Sequence, residues 1–198
     1  LTKDLALTAY KSFPSEVAEL ASMSMELISM KYWEEFYGTG DDLKRAKKEH
    51  LESILMVLPW IATIDAFQHW IYTNPTHTRE ERTAQWLSLG KRFGIGLMDW
   101  TDYEDQRNYS WHKQLHLFEV PFYYIEYGFS QLGALGVWKN SLQDERTAIE
   151  QYKAGLALGY TKDIKSIYNE AGVSFDFSAG TIKKLAELIL NQLEKVEQ

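Results

Sequence analysis

The sequence predicts an all-α, multi-helical protein, and three observations carry that expectation. Apolar residues recur at helical spacing over long segments, the segments are punctuated by capping residues, glycine and proline, and alternating strand patterns are nearly absent. VSFDF at Val173–Phe177 is too short and isolated to build a sheet. The 198 residues include seven Trp and twelve Tyr, ample for the core of one globular domain or of one lobe of a larger one. No repeat or low-complexity linker interrupts them, so 1–198 reads as a unit without an internal boundary.

The net charge of −7, with no basic block long enough to track a phosphate backbone, argues against nucleic acid as a partner. There is no cysteine, which excludes a disulfide scaffold, a thiolate metal site and a Cys nucleophile, and fits a cytoplasmic protein. No secretory signal is present, and the longest apolar run, Ile54 to Ile64, is too short to span a bilayer and contains Pro59, so no membrane partner is expected. Residue 1 is Leu and helical sequence begins almost at once, which is what a piece of a longer protein would look like.

The first helix is expected over Val17 to Met30, with Pro14 tolerated in its first turn and Ser12 or Ser15 available as a cap. At roughly 100° per residue, Val17, Leu20, Ala21, Ser24, Leu27 and Ile28 share one side while Glu19, Met23, Glu26 and Met30 share the other. With Met where a surface helix carries Lys or Arg, the helix is apolar almost all round, which predicts burial. A buried carboxylate costs several kcal/mol, in order of magnitude, unless something pairs with it. Glu19 and Glu26 therefore require a cation, a metal or strong donors, and a salt bridge to an Arg or Lys from another helix is the ordinary way to meet that need.

Gly38, Gly40 and the Asp41–Asp42 pair separate the first helix from the second, and LKRAKKEH at Leu43–His50 reads as a solvated helix face. Pro59 should kink or break that second helix, which resumes to Tyr72 before Asn74 and Pro75 stop it. Asp65 and His69, spaced i, i+4, can hydrogen-bond on one face, as a satisfied polar pair or as part of a substrate site. Thr78 with Glu81 is a capping-box pattern opening a helix to about Arg92. FGIGLM at Phe93–Met98 lacks the third glycine and the preceding strand of a nucleotide loop and reads as a turn, followed by an acidic, aromatic loop from Asp99 to Trp111.

A tyrosine-rich helix is expected from Pro121 to Lys139, with Gly128, Gly133, Ala134 and Gly136 permitting close approach of another helix. Tyr123, Tyr124 and Tyr127 lie on adjacent turns with His116 just upstream. Such clustered donors suit an oxyanion, and they equally suit an aromatic core in which each hydroxyl meets a carbonyl. Three further helices follow: Asp144–Leu158 closed by Gly159, Lys162–Ala171 closed by Gly172, and a last one capped by Ser178.

PSEVAELASMSMELI and HLFEVPFYYIEYGFSQLGAL together closely resemble the C-terminal part of the catalytic region of oligoendopeptidase F, a bacterial zinc peptidase related to thimet oligopeptidase and neurolysin. The resemblance extends over the whole chain, including FQHWIYTNP at Phe67–Pro75. It implies one lobe of a zincin-like helical oligopeptidase. In that family an HExxH helix supplies two zinc-binding His and a general-base Glu, and a Glu on the following helix completes the site. Carried onto this sequence, Glu19 would be the third zinc ligand and Glu26 the acceptor that orients a ligating imidazole. His116, Tyr124 and Tyr127 would bind substrate and stabilise the tetrahedral intermediate. Tyr123 joins them less directly, because thimet-like relatives differ here in spacing by about one residue and carry glycines in place of LFEVP.

The departure from the family is large. The five His are followed by Leu, Trp, Thr, Lys and Leu, so HExxH is absent. The expectation is a zinc metalloendopeptidase of short oligopeptides represented by its C-terminal half, inactive alone and unable to hold zinc stably without the N-terminal part of the same catalytic domain. Its exposed core would be open to self-association. Two other classes remain: a non-catalytic helical peptide-binding or scaffold module, and a purely structural helical domain in which the Glu residues are internally satisfied.

Overall fold

Local punctuation decides where the helices begin and end. In the computed structural model, which describes residues 1–197, ten α-helices form and no strand occurs among the described residues. They are α1 (Ser15–Ser29), α2 (Glu34–Tyr37), α3 (Asp41–Thr73), α4 (Arg79–Phe93), α5 (Glu104–Asn108), α6 (His116–Glu119), α7 (Tyr124–Ser141), α8 (Glu145–Ala157), α9 (Ile164–Glu170) and α10 (Ala179–Glu197). The capping box at α4 is complete: Thr78 Oγ1 accepts from the Glu81 N–H at 3.1 Å, and the Glu81 carboxylate accepts from the Thr78 N–H at 2.8 Å. Asp144 and Asp163 cap α8 and α9 in the same sense, and Gly159 and Gly172 take up positive φ just beyond them. Neither Ser12 nor Ser15 caps α1, whose N-terminal position is occupied by Pro14 with no side-chain bond.

Three expectations are corrected. Pro59 does not break α3, which runs unbroken for 33 residues. An internal proline costs about 3 kcal/mol, and that is less than the gain from burying Leu51, Ile54, Ile61, Ile64 and Phe67 along the helix, at about 1.5–3 kcal/mol each. An 18-residue stretch of α3 is apolar enough to cross a bilayer by length and composition, and a core helix with these buried side chains has the same composition. Pro121 is not in the tyrosine helix. It belongs to a turn with Phe122, whose φ of 61° is left-handed and whose N–H donates to Gln68 Oε1 at 3.0 Å, so α7 starts only at Tyr124. The Asp99–Trp111 segment is not all loop either, since α5 and a 3₁₀ turn at Ser110–Lys113 form within and beyond it.

The chain packs as two compact units, Leu1–Leu55 with the chain from Phe129 onward, and Met56–Gly128. Both divisions fall inside helices, α3 and α7, which explains why no linker marks them in the sequence. Leu55 is also the residue whose carbonyl, four positions before Pro59, loses its helical donor.

In the first unit, α1 packs on α9 and α8 on α9. Gly133 of α7 makes room for this: a Cβ there would lie 2.6 Å from Tyr168 Cε1 and 2.8 Å from Leu20 Cδ1. Tyr168, fully buried, donates its hydroxyl to the Glu16 carbonyl at 3.2 Å, and Ser130 donates to the same oxygen at 2.8 Å. Tyr152 donates to the Ala21 carbonyl at 2.9 Å. In the second unit, Ile64, Phe67, Trp86, Leu89 and Trp111 form the core, with Phe67 and Trp86 ring centroids 5.1 Å apart. Trp86 Nε1 donates to the Arg107 carbonyl at 3.0 Å and to Ser110 Oγ at 3.1 Å, which holds the acidic, aromatic segment against that core.

Candidate functional site

The carboxylates of α1 are set by the packing of its opposite face. Val17, Leu20, Ser24, Leu27 and Ile28 are buried as the helical period requires. The expected burial all round does not occur: Glu19 is only partly buried, and Ala18, Ser22, Met25 and Glu26 are exposed, Met25 by 47%. Ala, Ser and Met tolerate either environment, so a face poor in Lys and Arg was a sign of low charge rather than of contact. Ser22 Oγ lies 3.5 Å from Glu19 Oε2, at the limit of a hydrogen bond. Glu26 acts on His50, a residue the sequence reading did not single out. Burial pushes the His50 imidazole below its usual range, the Glu26 carboxylate pulls the other way, and the ring packs on Trp33 at 5.3 Å. No group of three or more His, Cys, Asp or Glu able to hold a metal occurs among the described residues, so Glu19 can offer one ligand and the remaining ligands of a zinc site are not found beside it.

The His116 cluster lies in the Met56–Gly128 unit and is built differently. His116 opens α6, and the Pro121–Phe122 turn reverses the chain so that Tyr124 and Tyr127 of α7, with Tyr123 just ahead of it, surround the imidazole. The ring centroids of Tyr123, Tyr124 and Tyr127 lie 5.9, 5.0 and 5.7 Å from that of His116. His116 Nε2 is 3.2 Å from Tyr127 Oη, and Nδ1 is 2.8 Å from Gln114 Nε2. Trp60 Nε1 donates to Gln114 Oε1 at 3.2 Å. Burial pushes the Tyr124 phenol above its usual range, against the pull of the nearby Trp60 and Gln114 donors, so Tyr124 is a proton donor at neutral pH. All four predicted aromatic residues thus meet in one place. Gln114 and Trp60 were missed: Gln114 stands two residues before His116, whereas Trp60 is distant in sequence and carries no local signal.

Asp65 and His69 face each other as their spacing predicts, but at 3.6 Å between Oδ2 and Nε2 they are too far apart for a hydrogen bond. Burial pushes the Asp65 carboxyl up, with His69 opposing. The same unit contains a groove of about 1010 Å3 whose walls include Met56, Trp60, Trp86, Phe93, Leu97 and Trp100, so Trp60 serves both the groove and the His116 network.

The family profile described as Peptidase family M3 matches residues 2–187. The chain belongs to that family. Among solved structures, this M3 chain is similar to a provisionally named oligoendopeptidase F at 29% identity and a TM-score of 0.87, over 98% of this chain and 34% of that one. It is similar to PZ peptidase A, solved with an inhibitor, at 27% identity and a TM-score of 0.87, over 98% and 34% of the two chains. A third neighbour, provisionally named an oligoendopeptidase F, from Bacillus anthracis str. Ames, has 25% identity and a TM-score of 0.77, over 100% and 32%. This M3 chain therefore spans about a third of the length of these relatives. No curated protein matches it.

Proposed function

We propose that this M3 chain supplies one part of the active site of a zinc metalloendopeptidase that hydrolyses short oligopeptides. The reading is carried by the His116 cluster, in which an imidazole and two phenols of α7 converge through hydrogen-bond and ring contacts on one small region. Donors held in place before the reaction stabilise negative charge developing on a carbonyl oxygen better than mobile ones, because no reorganisation is needed as the charge appears. In this role Tyr127 and Tyr124 donate to the oxyanion, His116 orients Tyr127, and Tyr123 lines the same side. The apolar walls of the adjoining groove suit the side chains of a peptide.

Glu19 would hold zinc as one protein ligand, and Glu26 would accept from the imidazole of another. When bound, zinc supplies a polarised scissile carbonyl and an activated water. The other ligands and the general base come, in this proposal, from outside the 198 residues, so the chain alone is expected to be inactive. The test joins the chain to a segment carrying HExxH and follows zinc content and cleavage of a quenched oligopeptide. Glu19→Ala should abolish both, and retained zinc and activity would remove Glu19 from the metal site.

The open groove favours a second reading, a peptide-binding module without chemistry. It is distinguished by peptide binding to the chain that persists when the joined protein hydrolyses nothing.

A further inference from the structure

The orientation of hydrogen-bond donors through the His116 cluster can be worked out from one fixed point. An indole nitrogen only donates. Trp60 Nε1 lies 3.2 Å from the side-chain amide of Gln114, so the atom facing it must be the carbonyl oxygen, Oε1. The amide's NH2 group is thereby turned towards His116, whose Nδ1 lies 2.8 Å from Gln114 Nε2. A donor on Gln114 requires an acceptor on the ring, so Nδ1 carries no proton. The neutral imidazole must then carry its proton on Nε2, which faces Tyr127 Oη at 3.2 Å and donates to it. The phenol oxygen accepts from the imidazole, so its own proton takes no part in the bond to His116.

We propose that Gln114, locked by Trp60, is a positioning residue that holds His116 as the Nε2–H tautomer, so that Trp60, Gln114, His116 and Tyr127 all donate in one direction along the chain of contacts. This inference rests on the peptidase reading only for its purpose: a donor relay of one sense leaves the Tyr127 phenol proton out of its bond to His116, as oxyanion stabilisation by that phenol needs. With the opposite tautomer, Nδ1–H would face the Gln114 NH2 group, placing two donors against each other. Tyr127 would also have to donate to Nε2, and its proton would be consumed inside the network.

The experiment is nitrogen-15 NMR of the histidine-labelled chain at a pH where the ring is neutral, with His116 assigned by its loss in His116→Phe. The expected result is a protonated Nε2 and an unprotonated Nδ1. Free imidazole side chains already favour Nε2–H, so the decisive arm is Gln114→Glu. A carboxylate there can only accept, and the tautomer should invert to Nδ1–H. Should that variant not fold, Trp60→Phe removes the lock, lets the amide turn over, and should produce signals of both tautomers. A wild-type ring protonated on Nδ1, an unchanged ring in Gln114→Glu, or an unchanged ring in Trp60→Phe each overturns the proposal. Failure of the peptidase reading looks different: the tautomer signals stand as expected, and His116→Ala leaves oligopeptide cleavage by the joined, zinc-loaded protein intact.

Discussion

The His116 cluster and the carboxylate face of α1 differ in where their partners lie. His116, Tyr123, Tyr124 and Tyr127 find Gln114 and Trp60 within Met56–Gly128, and ring contacts and hydrogen bonds join them into a single network. Glu19 and Glu26 stand on a helix whose back is tightly packed and whose other side is only partly covered, Glu19 with a weak Ser22 contact and Glu26 acting on His50. Removing one member of a linked network weakens its neighbours as well, whereas a carboxylate with few partners can be replaced at little cost to the fold. Hydrogen-bonded order is therefore a property of the His116 cluster and not of the carboxylates of α1.

The largest effect that would break the contrast is loss of the core behind the cluster. Trp86→Ala should cost about 3–5 kcal/mol by denaturant unfolding, because it removes the central ring and leaves a cavity, together with the two indole hydrogen bonds that hold Arg107 and Ser110. On the α1 side, Gly133→Ala should cost about 1–3 kcal/mol, since its Cβ would meet the rigid ring of Tyr168 at 2.6 Å. A smaller and sharper measure is coupling. Gln114→Leu and His116→Phe in a double-mutant cycle should interact by about 0.5–3 kcal/mol, while Glu19→Gln and Glu26→Gln should add to within about 0.5 kcal/mol. Equal coupling in the two cycles would erase the distinction.

The smallest effect is a pH slope. The His50 imidazole is held below its ordinary value of 6.5, so the unfolded chain binds that proton first. The contribution is full above about pH 6.5 and is lost as pH falls through that value towards the lowered folded one. His50→Phe should flatten the decline in stability between neutral pH and that region, and an unchanged slope would show that burial of His50 is not felt. Glu26→Gln should steepen it, because the carboxylate opposes the depression.

Much of this was legible in the residues. The capping box at Thr78 and Glu81, the terminal glycines at Gly159 and Gly172, and the buried stripe of α1 follow from local chemistry and period, and each formed as expected. The i, i+3 and i, i+4 spacing of the tyrosines, with His116 upstream, was enough to expect a cluster. Its internal wiring was not legible, because Trp60 comes from another helix and a hydrogen bond across 54 residues leaves no local pattern.

What the sequence determined by itself is the all-α class, most helix ends and the two motifs that resemble oligoendopeptidase F, since these depend on neighbours within a few residues. Tertiary structure decided whether Pro59 would end α3, where the tyrosine helix starts, and which of the acids are covered. Those outcomes balance local preferences against burial: about 3 kcal/mol for a proline inside a helix, set against apolar side chains contributed by distant segments. The partly covered side of α1 is the clearest case, because Met and Ala do not say whether anything packs upon them: Met30 is buried and Met25 exposed.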